Sequence, residues 1–417
     1  MQVHTNSLSE EAFMRLSNAS GTFRASGKAG LPLCARGLLG AFVIALVVAG
    51  CGSSSGSSTS KSSSGSEATA AESGGGSGES SEGGSDVAEA KAFVEKAEEE
   101  VTGGVPTSSP PAAKDKTVVL IPCAAAAAGC AEPMEGAAEA AKVLGWTTRT
   151  IDGKGDPSDE AAAIEQAIAL KPDAIIIHAI DPGTVKGAVN DAKAAGIPVI
   201  ASSVPPSNLV AFSQSPTKEA WVKTGEDSAN YLIANSEGKA KYIQLTNEEF
   251  GVVTERTEGF ESAISKCGEC EKVATSSFTF ADMASKLPQL TQQLIQTNPE
   301  ATAIAVPFDA AVPFVLEGMK AAGANLTVTG GDGTAEALQC IREECGLEAT
   351  GAVPVKWIGW TDIDAANRIF NGENPAPASV GLPTKLITSE NVQPEEGTWN
   401  GDVDFPSLYE KLWKSGS

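Results

Sequence analysis

The feature that most constrains this chain is a series of short, almost wholly apolar runs rich in β-branched residues. Thr117-Val-Val-Leu-Ile121, Ala174-Ile-Ile-Ile-His178 and Ile197-Pro-Val-Ile-Ala201 show no polar alternation. A strand without alternation must be covered on both faces, as in a parallel sheet flanked by helices. The segments between the runs have helical length and end at Gly145 and Gly196, so helices are expected over 134–144, 159–170 and 182–195, with further strands at 147–151 and 209–212. The rhythm then repeats. Helices are expected at 221–235, 254–266, 281–297, 310–322 and 334–343, and strands at 240–245, 272–278, 301–306, 326–329 and 350–355. The tail adds a helix at 361–370 and a strand near 384–389. Two such halves of roughly 100–130 residues imply an α/β chain of two Rossmann-like, doubly wound parallel-sheet lobes.

The stretch before this body reads differently. Arg36 precedes an uncharged apolar run, 37–50, which closes on Val48-Ala49-Gly50-Cys51. The run is too short to span a bilayer as a helix and fits the core of a signal peptide. Small residues directly before a Cys resemble the lipobox of bacterial lipoproteins. That resemblance implies cleavage before Cys51, lipidation of Cys51 and an extracytoplasmic, membrane-held protein. An ordinary secretory signal with a chance Cys is the alternative. Residues 51–86 are Ser/Gly-rich and lack apolar groups to bury, so they are expected to be a disordered linker. Val87, Ala90, Phe93, Val94, Ala97 and Val101 then recur at helical spacing. They mark an amphipathic helix followed by a Pro-rich link, together 87–115, packed on its own body or offered to a partner.

Charge and cysteine usage narrow the function classes. A formal net charge of −23 repels phosphate backbones and argues against nucleic acid. It also argues against adsorption to an anionic membrane by charge alone, which leaves the lipid as the attachment. Only His4 and His178 are present, which excludes zinc sites built on several histidines. A hydrolase would have to use His178 with Ser202 or Ser203, and no GxSxG surrounds those serines. Past Cys51 the cysteines fall into three near pairs, Cys123/Cys130, Cys267/Cys270 and Cys340/Cys345. In an exported chain these read as three local disulfides. A zinc site from Cys267, Cys270, Cys340 and Cys345, or a redox CxxC, is the competing reading.

Ligands of open parallel sheets bind beyond the C-terminal strand ends. Those ends supply 123–134, His178, Asp181, Ser202, Ser203, 247–250 with Phe250, Phe280, Phe308, Asp309, Asp332 and 356–360 with Lys356. The mixture of polar and aromatic groups suits a cleft for a small polar molecule. Asp181, Asp309 and Asp332 each also stand where a carboxylate would cap a helix. His178 reads equally as a hydrogen-bonded cleft residue, and Phe308 as core.

Asp173-Ala-Ile-Ile-Ile-His-Ala-Ile-Asp181-Pro, Ala194-Ala-Gly-Ile-Pro-Val-Ile200, Arg256-Thr-Glu-Gly-Phe260, Ala305-Val-Pro-Phe-Asp-Ala-Ala311, Lys320-Ala-Ala-Gly323 and Val328-Thr-Gly-Gly-Asp-Gly-Thr334 together resemble type I substrate-binding proteins of ABC transporters, in the ribose/galactose-binding group. The resemblance covers about 116–393. It implies two lobes joined by a three-strand hinge, crossing near 212–215, 352–354 and 378–382, and closing on a ligand. The lobes would be 116–213 with 355–379 and 214–354 with 380–417. It further implies a monomer that passes a carbohydrate or other polar solute to an ABC permease, with no cofactor and no catalysis; signalling to a membrane kinase is the second reading. Asp332 falls at a position the group uses; the group's Arg near Thr254 is missing, although Arg256 remains. Other positions depart from it: Cys123 and alanines replace first-strand aromatics, His178 replaces Asn, Ser203-Val204 replaces Asp-Arg, and Phe308 replaces Asn. An ordinary hexose or pentose would leave hydroxyls unpaired here.

Overall fold

The computed structural model describes residues 83–214 and 218–415. The expectations for the signal region, for Cys51 and for the linker up to residue 82 lie outside the described residues. No helix among the described residues is long and apolar enough to cross a membrane.

A leading helix, α1 (Gly83–Ala97), precedes the first lobe. That lobe is built from β1 (Thr117–Pro122), α2 (Ala128–Val143), β2 (Thr147–Thr150), α3 (Pro157–Ala169), β3 (Ala174–His178), α4 (Lys186–Ala194), β4 (Val199–Ser202) and β5 (Phe212–Gln214). Its five strands lie in the order β2-β1-β3-β4-β5 and all pair in parallel. Ile175, Ile176 and Ile177 are fully buried on alternate faces, which explains why β3 shows no polar alternation.

The second lobe holds α5 (Lys218–Asn235), β6 (Lys241–Thr246), α6 (Gly251–Ile264), β7 (Glu271–Ser277), α7 (Met283–Thr297), β8 (Ala303–Ala305), α8 (Val312–Ala322), β9 (Thr327–Asp332), α9 (Ala335–Arg342) and β10 (Leu347–Ala352). The chain then returns to the first lobe as α10 (Val355–Phe370), crosses again to β11 (Lys385–Thr388), and ends in α11 (Phe405–Ser415). The second sheet runs β11-β10-β9-β8-β6-β7, antiparallel only where β11 joins β10. Three crossings between the lobes are what the resemblance implies; the tail crosses once more, from β11 to α11.

β5 lies at Phe212–Gln214 and not 209–212, α4 begins at Lys186 and not 182, and three further differences bear on the site and the lobes. α10 begins at Val355, so Lys356 and Trp360 lie inside a helix and not in a strand-end loop. Nearly all of its residues from Val355 to Arg368 are buried, and the helix expected at 361–370 is its second half. α2 likewise starts within the alanine run, six residues earlier than expected, because Ala carries no amphipathic signal. The stretch 380–417 does not stay with the second lobe. Phe405, Tyr409 and Trp413, one turn apart on α11, join the first-lobe core around Trp357, Trp360 and Val118.

Glycines let two helix pairs approach closely. A Cβ on Gly359 of α10 would lie 2.0 Å from the Pro133 carbonyl oxygen, and one on Gly136 of α2 would lie 2.2 Å from that of Lys356. Gly225 of α5 and Gly259 of α6 meet in the same way. Gly359→Ala is therefore expected to cost about 1–3 kcal/mol or more by overpacking. Urea unfolding checks it; an unchanged midpoint would mean the helices separate freely.

The segment from α1 to β1 runs along both lobes. α1 packs on α5, with Ala90 and Ala97 buried. Glu98 then accepts from Thr388 and Asn391 beside β11. Further on, Ser109 donates to Asp364, Arg368 donates to the Ser108 carbonyl, and Asn367 holds both Pro110 and Ala113. The amphipathic helix is thus covered by its own chain.

Candidate functional site

The three cysteine pairs are each joined within their own loops, with Cα–Cα distances of 5.5 Å for Cys123–Cys130, 5.4 Å for Cys267–Cys270 and 5.0 Å for Cys340–Cys345. These lie in the disulfide range. The first pair fixes the turn between β1 and α2, and its sulfur-bearing residues line a cavity between the lobes.

That cavity encloses about 60 Å³. From the first lobe come Gly129, His178, Ala179 and Ser203, and from the second come Trp221, Phe250, Arg256, Phe280, Phe308 and Asp332. Strand ends from both sheets therefore converge. Phe280 reaches across: a Cβ on Gly155 of the first lobe would lie 2.7 Å from its Cδ1. Phe250 packs edge-on against Phe280 at 6.4 Å and against Phe308 at 6.3 Å. Three non-glycine residues with positive φ border the space, Ala179 (53°), Ser203 (55°) and Asp332 (125°). Backbone strain of this kind persists where the surrounding fold over-determines it, commonly at functional sites.

Arg256, about a turn and a half into α6, is almost fully buried. Its Nε donates to Thr224 Oγ1 at 3.0 Å, Nη1 to the Pro307 carbonyl at 2.6 Å and Nη2 to Asp332 Oδ1 at 2.8 Å. The guanidinium also lies 5.2 Å from the Trp221 ring centroid. Burial raises the Asp332 carboxyl above its ordinary range, and the Arg256 charge and hydrogen bond oppose that rise. The far oxygen of Asp332 points at the first lobe, 3.2 Å from where a Cβ on Gly129 would sit.

His178 sits at the end of β3. Its Nε2 faces the Gly129 carbonyl at 3.2 Å and its Nδ1 the Ser202 hydroxyl at 2.9 Å. Burial pushes the imidazole down to about 4, so it is neutral at pH 7. A carbonyl only accepts; Nε2 therefore carries the proton, and Nδ1 accepts from Ser202. Ser202 is fully buried and does not reach the cavity. Its hydroxyl also meets Asp362, whose carboxyl burial pushes up to about 7. A serine lying between the imidazole and the carboxylate is not the order in which a His–Asp pair activates a nucleophile.

Three more of the sequence candidates stand outside the cavity. Asp181 is exposed, and its Oδ1 accepts from Gly183 N at 2.7 Å in a turn ahead of α4. Asp309 is buried as a bracket: Oδ2 accepts from Gly333 N and Thr334 N at 2.8 and 2.9 Å, and Oδ1 from Thr350 Oγ1 at 2.9 Å. Burial and the neighbouring Asp332 charge raise its carboxyl, against the Thr334 and Thr350 bonds. Lys356 points outward to Glu139 at 2.9 Å and Glu135 at 3.7 Å on α2. Conversely, Trp221, Val252, Val253 and Val355 line the cavity without having been singled out.

The Asp362 carboxyl gives a pH prediction. Gln214 Nε2 donates to its Oδ1 at 2.6 Å, and the other oxygen has no hydrogen-bond partner among the described residues. A carboxyl whose folded pKa is raised binds more protons folded than unfolded. Its stabilising share is complete below about pH 4 and is lost as pH rises towards about 7. Asn resembles the protonated form. Asp362→Asn should therefore gain stability relative to the parent between pH 5 and pH 8, read by calorimetry; a pH-independent difference would mean Asp362 is ionised throughout.

Two α/β lobes hinged by three crossings, with a cavity walled by both, define a type I solute-binding protein. The chain belongs to the periplasmic binding protein domain family, which residues 118–374 match. The ribose import binding protein of Bacillus subtilis is 28% identical over 263 residues, covering 61% of this chain and 82% of that protein. The D-apiose import binding protein of Actinobacillus succinogenes is 26% identical over 225 residues, covering 53% and 71%. Among solved structures, a sugar ABC transporter protein of Yersinia enterocolitica superposes with a TM-score of 0.61 at 19% identity, covering 73% of this chain and 96% of that one. A solute-binding protein of Bacillus halodurans with bound myo-inositol gives 0.55 at 21% identity, covering 67% and 96%. At these identities the structural likeness shows the fold.

Proposed function

We propose that the protein is the extracytoplasmic receptor of an ABC importer. It takes a small, sugar-like hydroxylated solute between its lobes, closes on it and presents it to a membrane permease. The observation that carries this reading is the shared cavity. Gly129, His178 and Ser203 face Phe250, Arg256 and Asp332 across the hinge, so a solute touching both sets favours the closed form over the open one. In this reading Ser203, Arg256 and Asp332 supply hydrogen bonds, the phenylalanines supply the walls, and no bond is made or broken. The protein acts as a monomer, held at the membrane by lipid on Cys51.

Small-angle scattering of the full-length protein tests the closure. The radius of gyration should fall on adding a solute that calorimetry shows to bind, and Asp332→Asn should abolish both responses. Scattering unchanged by every bound solute would remove the hinge mechanism. For the anchor, Cys51→Ser should shift the protein from the membrane fraction to the soluble one; a protein that stays with the membrane would be held there by something else.

A further inference from the structure

We infer that the solute is a neutral molecule with few hydroxyls, a vicinal diol carried on a hydrocarbon or aromatic ring, and not a fully hydroxylated sugar. This rests on the receptor reading above and narrows its ligand class.

The inference follows from which polar groups around the cavity still have hydrogen bonds to give. His178 uses both ring nitrogens, on Ser202 and on the Gly129 carbonyl. Gln214 is held by Thr361 and Asp362, and Asn247 by Glu249 and the Phe278 carbonyl. Asp309 brackets Gly333, Thr334 and Thr350. Three side chains keep capacity. Ser203 Oγ lines the cavity, is 2% exposed as a residue and has no hydrogen-bond partner among the described residues. Its backbone is held at a positive φ beside the cavity. An unpartnered buried hydroxyl of this kind calls for a ligand hydrogen bond. Asp332 accepts from Arg256 on Oδ1 and also from the Asp309 backbone N–H, while its Oδ2 faces across the cleft with lone-pair capacity for a ligand. Arg256 has five N–H groups and donates one bond from each nitrogen within the protein.

An acceptor and a donor side by side on Asp332 and Arg256 fit two adjacent hydroxyls, one giving to the carboxylate and one accepting from the guanidinium. Ser203 serves one further polar atom from the opposite lobe. Most of the remaining wall is apolar, with Trp221, Phe250, Val252, Val253, Phe280 and Phe308 its largest part. Each additional hydroxyl pressed against that wall loses water and finds no partner, at about ten-fold in affinity. Charge is excluded by the same accounting. Arg256 is matched by Asp332 and His178 is neutral, so an ionic solute would stay unpaired.

The test is a matched set on six-membered carbon rings, cis-cyclohexane-1,2-diol and catechol against myo-inositol, with ribose as the sugar comparison, titrated calorimetrically into the full-length protein. The diols should bind at least ten-fold more tightly than myo-inositol or ribose. Ser203→Ala should weaken the diols several-fold and Asp332→Asn at least ten-fold; an unchanged melting curve for Ser203→Ala separates lost binding from lost fold. Tighter binding of myo-inositol or ribose overturns the inference and leaves the receptor reading intact. Failure of both diols at millimolar concentration, while another solute closes the lobes in scattering, overturns it likewise. If no solute of any class closes the lobes, the receptor reading falls instead.

Discussion

Arg256→Met is expected to lower the free energy of unfolding by about 3–5 kcal/mol at pH 8, the usual cost of removing one partner of a buried ion pair. The guanidinium ties Thr224, Pro307 and Asp332 together and packs on Trp221. Without it, Asp332 faces the cleft with no opposing charge, and burial already raises its carboxyl. The carboxyl would then take up a proton more readily in the folded state than in the unfolded one. Stability of the variant should accordingly recover as pH falls, because the folded form binds the extra proton. Asp332→Asn in the same chain should restore part of the loss at pH 8. Denaturant titrations at pH 5 and pH 8 measure both effects. A variant as stable as the parent at pH 8 would mean that water reaches the pair freely.

Trp357→Ala should cost a similar amount, about 3–5 kcal/mol for a large aromatic deleted from a core. Trp357 is fully buried and stacks on Phe405 at 4.7 Å with rings 9° apart. It also supports Gly401 and lies against Gly103. The loss should therefore loosen both chain ends. Limited proteolysis should cut first in 98–113 and near α11, ahead of any cut in β1 or β3. Simultaneous degradation of the whole chain would show that the ends and the body unfold together.

Much of this fold can be read from the sequence because its strands are so one-sided in composition. β3 was expected at the residues where it occurs, since four consecutive apolar residues ended by His178 leave little choice. Two helices were expected, at 361–370 and 134–144, but their first turns were not, for the opposite reason. α10 opens on largely buried residues and α2 on alanines, so neither start presents two faces. α11 does carry a signal, Phe405, Tyr409 and Trp413 at four-residue spacing behind Asp404, which accepts from Ser407 N at 3.2 Å. Strand-end logic brought His178, Ser203, Phe250, Phe280, Phe308 and Asp332 to one cavity, and the family resemblance added Arg256. It could not separate them from Ser202 and Asp309, because which face a strand-end side chain takes depends on local φ and on neighbours distant in sequence. Trp221 was invisible as a cavity residue because its place on α5 reads as ordinary core.

The segment between α1 and β1 bears on how self-sufficient the conserved body is. The family match begins at 118, yet Asp364, Asn367 and Arg368 of α10 complete their hydrogen bonds on residues 108–113, and Ala90 and Ala97 cover the second lobe. A chain trimmed to the family boundary would bare apolar surface on one lobe and orphan buried polar groups on the other. The autonomous unit is thus larger than the homologous one: the leader has become part of the domain, and grafting or swapping this receptor must carry residues 83–116 with it.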